Sequence, residues 1–272
     1  MIIQHNMAAA NTNRQLGITN GNLSKATEKL SSGYRINRAG DDAAGLSISE
    51  KMRGQIRGLD QASTNAQDGI SLIQTAEGAL NETHSILQRM RELAVQAAND
   101  TNVTADRTAI DAEMDQLRDE ITRISDTTEF NTMKLLDGTY SSTALNLQVG
   151  ANEGQNIEIK ISDSSATALS VDNLDVSTYA KAGSAITLID SAITTISTAR
   201  SNLGAFQNRL EHTIANADNT SENLQAAESR IRDVDMARMM VSYSKDSILQ
   251  QAAQSMLAQA NQSTQGVLNL LR

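Results

Sequence analysis

The chain has 272 residues, a formal net charge of -9, no Cys, no Pro, no Trp and only 2% aromatic residues. The missing cysteines exclude disulfides, thiolate chemistry and Cys-ligated metals, and the negative charge argues against nucleic acid or an anionic membrane as a partner. Large aromatic residues dominate most globular cores, and Pro is the strongest interrupter of helices. This composition therefore favours a mainly α protein with long, narrow, Ala-rich helices.

Apolar residues in the first half recur every seven positions. One stripe contains Leu16, Leu23 and Leu30, and a longer one contains Leu59, Ala66, Ile73, Leu80, Leu87 and Ala94. Seven-residue spacing keeps side chains on one side of a helix, so each stripe predicts a helix with one apolar face. A third helix is predicted from Ile110, Met114, Leu117, Ile121 and Ile124. The short polar stretch 99–104 before it favours an antiparallel helix pair.

The middle of the chain changes its pattern. Apolar and polar residues alternate over 145–149 and again over 157–161, with turn-forming residues at 150–155 between them. This pattern predicts a β-hairpin. Ser, Thr, Asp and Ala then dominate to about Gly183, which predicts a surface loop with little core.

Helical spacing returns in the C-terminal part at Ile189, Ile196, Leu203 and Leu210. The predicted helix runs over about 186–212, and Asn219 with Glu222 resembles a capping box that would start a new helix. The last apolar stripe consists of Leu249, Ala253, Met256, Ala260 and Val267. A helix with such a narrow stripe needs a partner. Two interpretations remain open: an ordinary helical bundle, or terminal arms that pair with each other and with neighbouring subunits.

No pattern in the sequence predicts a catalytic, cofactor-binding or metal site. His5, His84 and His212 are far apart and none belongs to an HExxH motif. The adjacent carboxylates Asp41 and Asp42 are interpreted as part of an exposed turn, with cation binding as the alternative. The alternating charges over 230–238 are typical of a solvated, salt-bridged helix.

The first fifteen residues have no cationic segment followed by an apolar run, so no cleavable secretory signal is predicted. No run of about 18 apolar residues predicts a transmembrane helix. Taken alone, these observations indicate a cytoplasmic protein.

Two sequence blocks resemble the signatures of bacterial flagellins. The first is LSSGYRINRAGDDAAGL at 30–46, followed by SEKMRGQIR at 49–57. The second is AESRIRDVDMA at 227–237, followed by MLAQAN at 256–261 and VLNLLR at 267–272. The resemblance covers about residues 1–140 and 185–272. The two blocks lie at opposite ends of the chain, in the order in which they occur in flagellins.

The resemblance implies a mainly α fold: an elongated hairpin of long helices with coiled-coil terminal arms and a small β-hairpin region. Residues 1–43 and 233–272 would be the arms of a filament inner core. Residues 44–232 would form an outer-core rod domain, with the β-hairpin region at about 130–182. The short middle implies a flagellin without the large variable outer domains. The implied function is a non-enzymatic structural subunit, without cofactors, that self-assembles into the flagellar filament for motility.

The resemblance also implies partners and a location. Flagellins are exported through the flagellar type III apparatus without a cleaved signal peptide, which moves the expected location from the cytoplasm to the extracellular flagellum. A cytoplasmic chaperone would cover the C-terminal arm, 235–272, before export, and the filament cap and hook–filament junction proteins would be further partners. The alternative is that the chain is itself a junction protein, but the match over 35–46 and 267–272 favours flagellin. A second alternative, an enzyme, would require catalytic residues clustered at one site, and none is visible in the sequence.

Two segments resemble sites that host receptors detect. The segment LQRMRELAVQ at 87–96 resembles the part of flagellin that a Toll-like receptor binds, where Arg89, Leu93 and Glu113 match contact residues. Arg89 and Leu93 are four residues apart and share a helix face; the simpler interpretation makes Leu93 a core residue and Arg89 a surface charge. The C-terminal residues that resemble the tail detected by inflammasome sensors, and whose primary role would be packing in the filament core, are Val267, Leu268, Leu270 and Leu271.

Overall fold

The computed structural model describes the backbone of residues 5–270 and the side chains of residues 5–263. The helices of this part are α1 (Met7–Ser32), α2 (Ala43–Ala97), α3 (Thr104–Thr127), α4 (Thr139–Ser142), α5 (Tyr179–Arg232) and α6 (Met236–Leu270). Its strands are β1 (Glu129–Phe130), β2 (Met133–Lys134), β3 (Leu145–Gln148) and β4 (Asn156–Ile159). The predicted mainly α fold with long helices and a small β-hairpin is confirmed.

The chain groups into two compact units. The terminal unit contains Met1–Gly54 and Asn223–Arg272, and the central unit contains Gln55–Glu222. Helix α1 of the terminal unit begins at an N-cap, where the Asn6 side chain accepts a hydrogen bond from the Ala9 N–H at 3.0 Å. The helix is followed by Gly33, which has a left-handed φ of 75°. Glycine adopts this conformation readily because it has no Cβ.

The core of the central unit is built from heptad-spaced faces of α2 and α5. Buried or small positions on α2 follow alternating steps of four and three residues, and include Ala66, Ile73, Ala76, Leu80, Leu87, Met90, Ala94 and Ala97. Those on α5 follow the same rule: Ala182, Ala185, Ile189, Ala192, Ile196, Ala199, Leu203 and Leu210. The predicted stripes of α2 and α5 are therefore confirmed as core, except at Leu59, the first residue of the α2 stripe, which is only half-buried. Ion pairs Arg91–Asp190 and Glu77–Arg200 show that α2 and α5 are antiparallel.

The predicted β-hairpin is also confirmed. Strands β3 and β4 are antiparallel, with Leu145 opposite Ile159 and Leu147 opposite Ile157. The apolar side chains on one face join the core of the central unit. The hairpin approaches α2 closely at Gly69, where an added Cβ would lie 2.2 Å from Leu147 Cδ1. Any larger residue at position 69 would force the end of the Leu147 side chain to move.

The segment after the hairpin contributes more to the core than the surface loop with little core that its composition predicts. Ala166, Leu169, Val171 and Val176 are buried in the core cluster of the central unit. The segment has no long helix or strand, so the apolar residues occur singly among Ser, Thr and Asp and leave no periodic signal. The Ser164 N–H donates to the Leu136 carbonyl at 3.1 Å, which ties this segment to the residues before α4.

The predicted break at Asn219 is wrong. Helix α5 continues to Arg232, and the Asn219 amide donates to the Ala215 carbonyl at 2.7 Å, within the helix. The break lies instead between Arg232 and Met236, inside the charged run that predicted a continuous solvated helix. There the Asp235 carboxylate accepts a hydrogen bond from the Arg238 N–H at 3.1 Å and caps the start of α6.

Candidate functional site

Helices α1 and α6 pack antiparallel along a heptad-spaced seam within the terminal unit. The Asn6 amide donates to the Ala260 carbonyl at 3.0 Å, and Gln250 donates to Asn20 at 2.8 Å. On α1 the seam positions Leu16, Thr19, Leu23, Ala26 and Leu30 are buried or half-buried, and on α6 the seam positions Tyr243, Asp246, Gln250, Ala253, Leu257 and Ala260 are half-buried. Both series follow steps of three and four residues, which is the spacing of a helix–helix seam.

This seam is only half-buried. On α1, only Thr19 and Ala26 are fully buried. Within the described side chains of α6, 236–263, none is fully buried. By contrast, nine residues of α5 are buried. The α1–α6 pair therefore leaves much of its own surface exposed.

The register of α6 differs from the predicted one. Ala253 and Ala260 lie on the seam as predicted, but Leu249 and Met256 lie outside it and are exposed. The seam uses Gln250 and Leu257 instead, one residue later along the helix. Polar residues on the seam, above all Gln250 and Asp246, concealed the register because the prediction chose apolar positions.

Four exposed apolar residues of α6 lie outside the seam, in two pairs on neighbouring parts of the helix surface. Val241 and Ile248 are one heptad apart, and so are Leu249 and Met256. Positions seven residues apart point in nearly the same direction on a helix. We call these four residues the α6 stripe. An apolar surface of this kind on a folded chain indicates a contact surface for another molecule.

The other end of the α1–α6 pair is fixed by a polar junction. The Tyr34 and Asp233 backbones form an antiparallel bridge, and the Val234 N–H donates to the Gly33 carbonyl at 3.0 Å. Arg232 stacks on Tyr34 and pairs with Glu50 at 3.1 Å. The prediction had placed Arg232 on a solvated face, yet its side chain is 13% exposed.

In the central unit, two of the residues predicted for receptor binding are at the surface. Arg89 Nη2 lies 2.9 Å from Glu113 Oε1, and Arg89 Nη1 lies 3.1 Å from Glu92 Oε2. Hydrogen bonding to Glu113, then to Glu92, raises the pKa of the Arg89 guanidinium above its usual value. Leu93 is 1% exposed and belongs to the core. The side chains of Val267, Leu268 and Leu270, and the whole of Leu271, lie outside the described residues.

The central unit also contains a cluster of carboxyl groups, Asp111, Asp115 and Asp175, in which the pKa of Asp111 is raised. Burial raises the pKa of Asp111, and the negative charges of Asp115 and Asp175 raise it further. Lys181 and Ser177 hold the pKa of Asp175 well below its usual range through hydrogen bonds.

In the described part of the chain no group of His, Asp and Glu residues could hold a metal ion. The same residues contain no helix long and apolar enough to cross a membrane.

Comparisons with known proteins identify the family. The family model for the bacterial flagellin N-terminal helical region matches residues 3–141, and that for the C-terminal helical region matches residues 186–271. Flagellin of Halalkalibacterium halodurans is 62% identical over 274 residues, covering 100% of both chains, and that of Bacillus subtilis is 54% identical over 304 residues, again covering 100% of both.

A solved structure agrees with these relatives. The crystal structure of Bacillus cereus flagellin matches with a TM-score of 0.50 and 34% identity, over 57% of this chain and 88% of that one. The full-length match to a 274-residue alignment also fits a short form without a large outer domain. The chain therefore belongs to the bacterial flagellin family: it is a structural subunit of the extracellular flagellar filament, and not an enzyme.

Proposed function

We propose that subunits join one another through the terminal unit, with the α6 stripe as the main apolar contact. The supporting observation is that Val241, Ile248, Leu249 and Met256 are exposed on the part of α6 that α1 does not cover. Burying apolar surface stabilises an assembly by about 25 cal/mol per Å². Because the protein forms a homopolymer, the occupant of this surface is another copy of the chain.

We assign residues 1–43 and 233–272 to arms that pair as an antiparallel coiled coil and line the inner core of the filament. Residues 44–232, with the β-hairpin region at about 130–182, would form the outer core. The heptad seam between α1 and α6 supports this assignment. Polar seam residues such as Gln250 lower the stability of a helix pair while fixing its register. Such a pair gains most from neighbours that cover it.

The test is seeded polymerisation of purified subunits that carry Ile248→Asn. The substitution puts a polar amide in the α6 stripe without touching the seam, so the monomer should keep its helix content and stop elongating seeds. Tyr179→Asn is the matched control, because Tyr179 is equally exposed but lies in the central unit. Normal elongation by the Ile248→Asn variant would refute the stripe as a subunit contact.

Export is the second part of the proposal. We infer that a cytoplasmic chaperone covers the C-terminal arm, 235–272, and that export uses no cleaved signal peptide. The same exposed stripe supports this, because an apolar face that is uncovered before assembly would pair prematurely. The filament cap and the hook–filament junction proteins would contact subunits through the same terminal arms.

We also propose that the monomer presents Arg89 and Glu113 to a flagellin-sensing Toll-like receptor. Both side chains are about half-exposed and are held together by a direct ion pair. Leu93 would contribute indirectly, because its buried side chain packs in the core that holds α2 in place. For Val267, Leu268, Leu270 and Leu271, recognition by inflammasome sensors and packing in the filament core remain proposals based on sequence resemblance.

A further inference from the structure

The exposed methionines of the described chain are all found in the terminal unit. Met7, Met236, Met240 and Met256 are 73%, 48%, 51% and 59% exposed. In the central unit, Met90 and Met114 are 1% and 3% exposed. The remaining described methionines, Met52, Met133 and Met239, are half-buried.

The exposed and the buried methionines are therefore expected to differ in their reactivity toward an oxidant. A thioether reacts with an oxidant only where the oxidant can reach the sulfur, so reactivity follows exposure. Oxidation would therefore modify the terminal unit and spare the sulfurs in the helical core of the central unit. The fold of the central unit would survive a dose of oxidant that changes the terminal unit.

Two of the exposed methionines lie on surfaces that the helix pair leaves uncovered. Met256 belongs to the α6 stripe, one heptad after Leu249. Met7 and Ile18, eleven residues apart, share the outer face of α1, because eleven residues make about three whole turns. A sulfoxide in place of either thioether would put a strong dipole on an apolar surface.

We propose that Met7, Met236, Met240 and Met256 form an oxidation-sensitive set that stops polymerisation when it is modified. Hydrogen peroxide transfers one oxygen atom to each sulfur, giving the sulfoxide and one water; the sulfur is oxidised by two electrons and the peroxide O–O bond breaks. This inference rests on the proposed assembly through the terminal unit. Subunits already in a filament are protected, because their neighbours cover these sulfurs.

The experiment treats purified full-length monomer with hydrogen peroxide and locates sulfoxides by peptide mass spectrometry. Met7, Met236, Met240 and Met256 should be oxidised before Met90 and Met114, and the thermal transition of the central unit should not move. Seeded elongation should fall at least about tenfold, equivalent to about 1.4 kcal/mol. The same dose given to finished filaments should leave these four residues largely unmodified.

Two controls connect the loss to these residues. A variant carrying Met7→Leu, Met236→Leu, Met240→Leu and Met256→Leu keeps apolar side chains that peroxide does not oxidise, so its elongation should survive treatment. Treatment of oxidised wild-type monomer with methionine sulfoxide reductases A and B, which together reduce both sulfoxide epimers, should restore elongation. This rescue requires no substitution.

The outcomes separate this inference from the proposed assembly. Normal elongation by wild-type monomer that carries all four sulfoxides would overturn the inference and leave the assembly proposal intact. Equal loss in the four-leucine variant, or no recovery after enzymatic reduction, would also overturn it. Failure of the assembly proposal is seen without peroxide, as unimpaired elongation by the Ile248→Asn variant.

Discussion

Arg232 stacks over the ring of Tyr34, with its Cζ 4.7 Å from the ring centroid. The same guanidinium pairs with Glu50, so one side chain connects the end of α5 with the segment after α1 and with the start of α2. This contact closes the terminal unit at the end away from Asn6 and Ala260. A cation over an aromatic face contributes more when it is withdrawn from water, as Arg232 is.

Arg232→Ala is therefore expected to destabilise the terminal unit by about 1–2 kcal/mol. Proteolysis within residues 33–42 should become faster, while the melting transition of the central unit stays in place. Arg238→Ala is the matched control, because Arg238 is 90% exposed and its ion pair is a local one with Asp235, the residue just before α6. Equal protection of 33–42 in wild type and Arg232→Ala would contradict the proposed role of the junction.

Leu80 tests the core of the central unit. It lies in the buried series of α2, in the same cluster as Leu203 and Leu210. Leu80→Ala should lower the free energy of unfolding by about 2–5 kcal/mol through lost burial and the cavity left behind. Val95→Ala on the same helix removes an exposed side chain and should cost little. Chemical denaturation of the two variants would show an error in the helix register if their midpoints moved equally.

Asp111 gives a prediction for pH. Its pKa is raised in the folded chain by burial and by the Asp115 and Asp175 charges. A raised carboxyl pKa means that folding favours the protonated form, so the charged form weakens the fold above the usual pKa and the penalty disappears in acid. Asp111→Asn should raise the melting temperature slightly at pH 7, and the gain should vanish below about pH 4. A gain that is the same at both pH values would rule out this electrostatic cause.

Arg89 tests the proposed receptor surface. Arg89→Ala should leave the melting temperature nearly unchanged, because exposed ion pairs contribute only about 0–1 kcal/mol. Affinity of the monomer for the Toll-like receptor ectodomain should fall by over 2 kcal/mol if Arg89 is a binding hot spot. Arg123→Ala is the control, since Arg123 forms a comparable exposed pair with Glu120 on α3. Unchanged binding by folded Arg89→Ala protein would show that the resemblance over 87–96 does not extend to function.

The heptad stripes of the central unit were predictable because packing there is apolar and regular. Ile73 and Leu80 on α2, and Ile196 and Leu203 on α5, are buried where their spacing places them. The hairpin was predictable because alternation and turn residues agree. These are the segments in which local pattern and tertiary packing give the same answer.

The predictions failed where polar residues occupy the contact between helices, or where buried apolar residues occur without a regular spacing. The seam of α6 passes through Gln250, so a search for apolar residues chose Leu249 and shifted the register by one position. Val171 and Val176 are buried singly, without a period that would reveal them. Asn219 resembles a helix cap, but α5 continues through it and its side chain donates to the Ala215 carbonyl within the helix.

The central claim is that a second copy of the chain covers the α6 stripe. The chain contains no Cys, so Ile248→Cys introduces a single thiol at an exposed position of the stripe, and Tyr179→Cys introduces a matched thiol in the central unit. The measurement is the rate of maleimide labelling of each thiol in monomers and in filaments seeded from them. We predict that Cys at position 248 reacts rapidly in the monomer and is protected at least about tenfold in the filament, while Cys at position 179 reacts at similar rates in both. Equal labelling at position 248 before and after assembly would contradict the account.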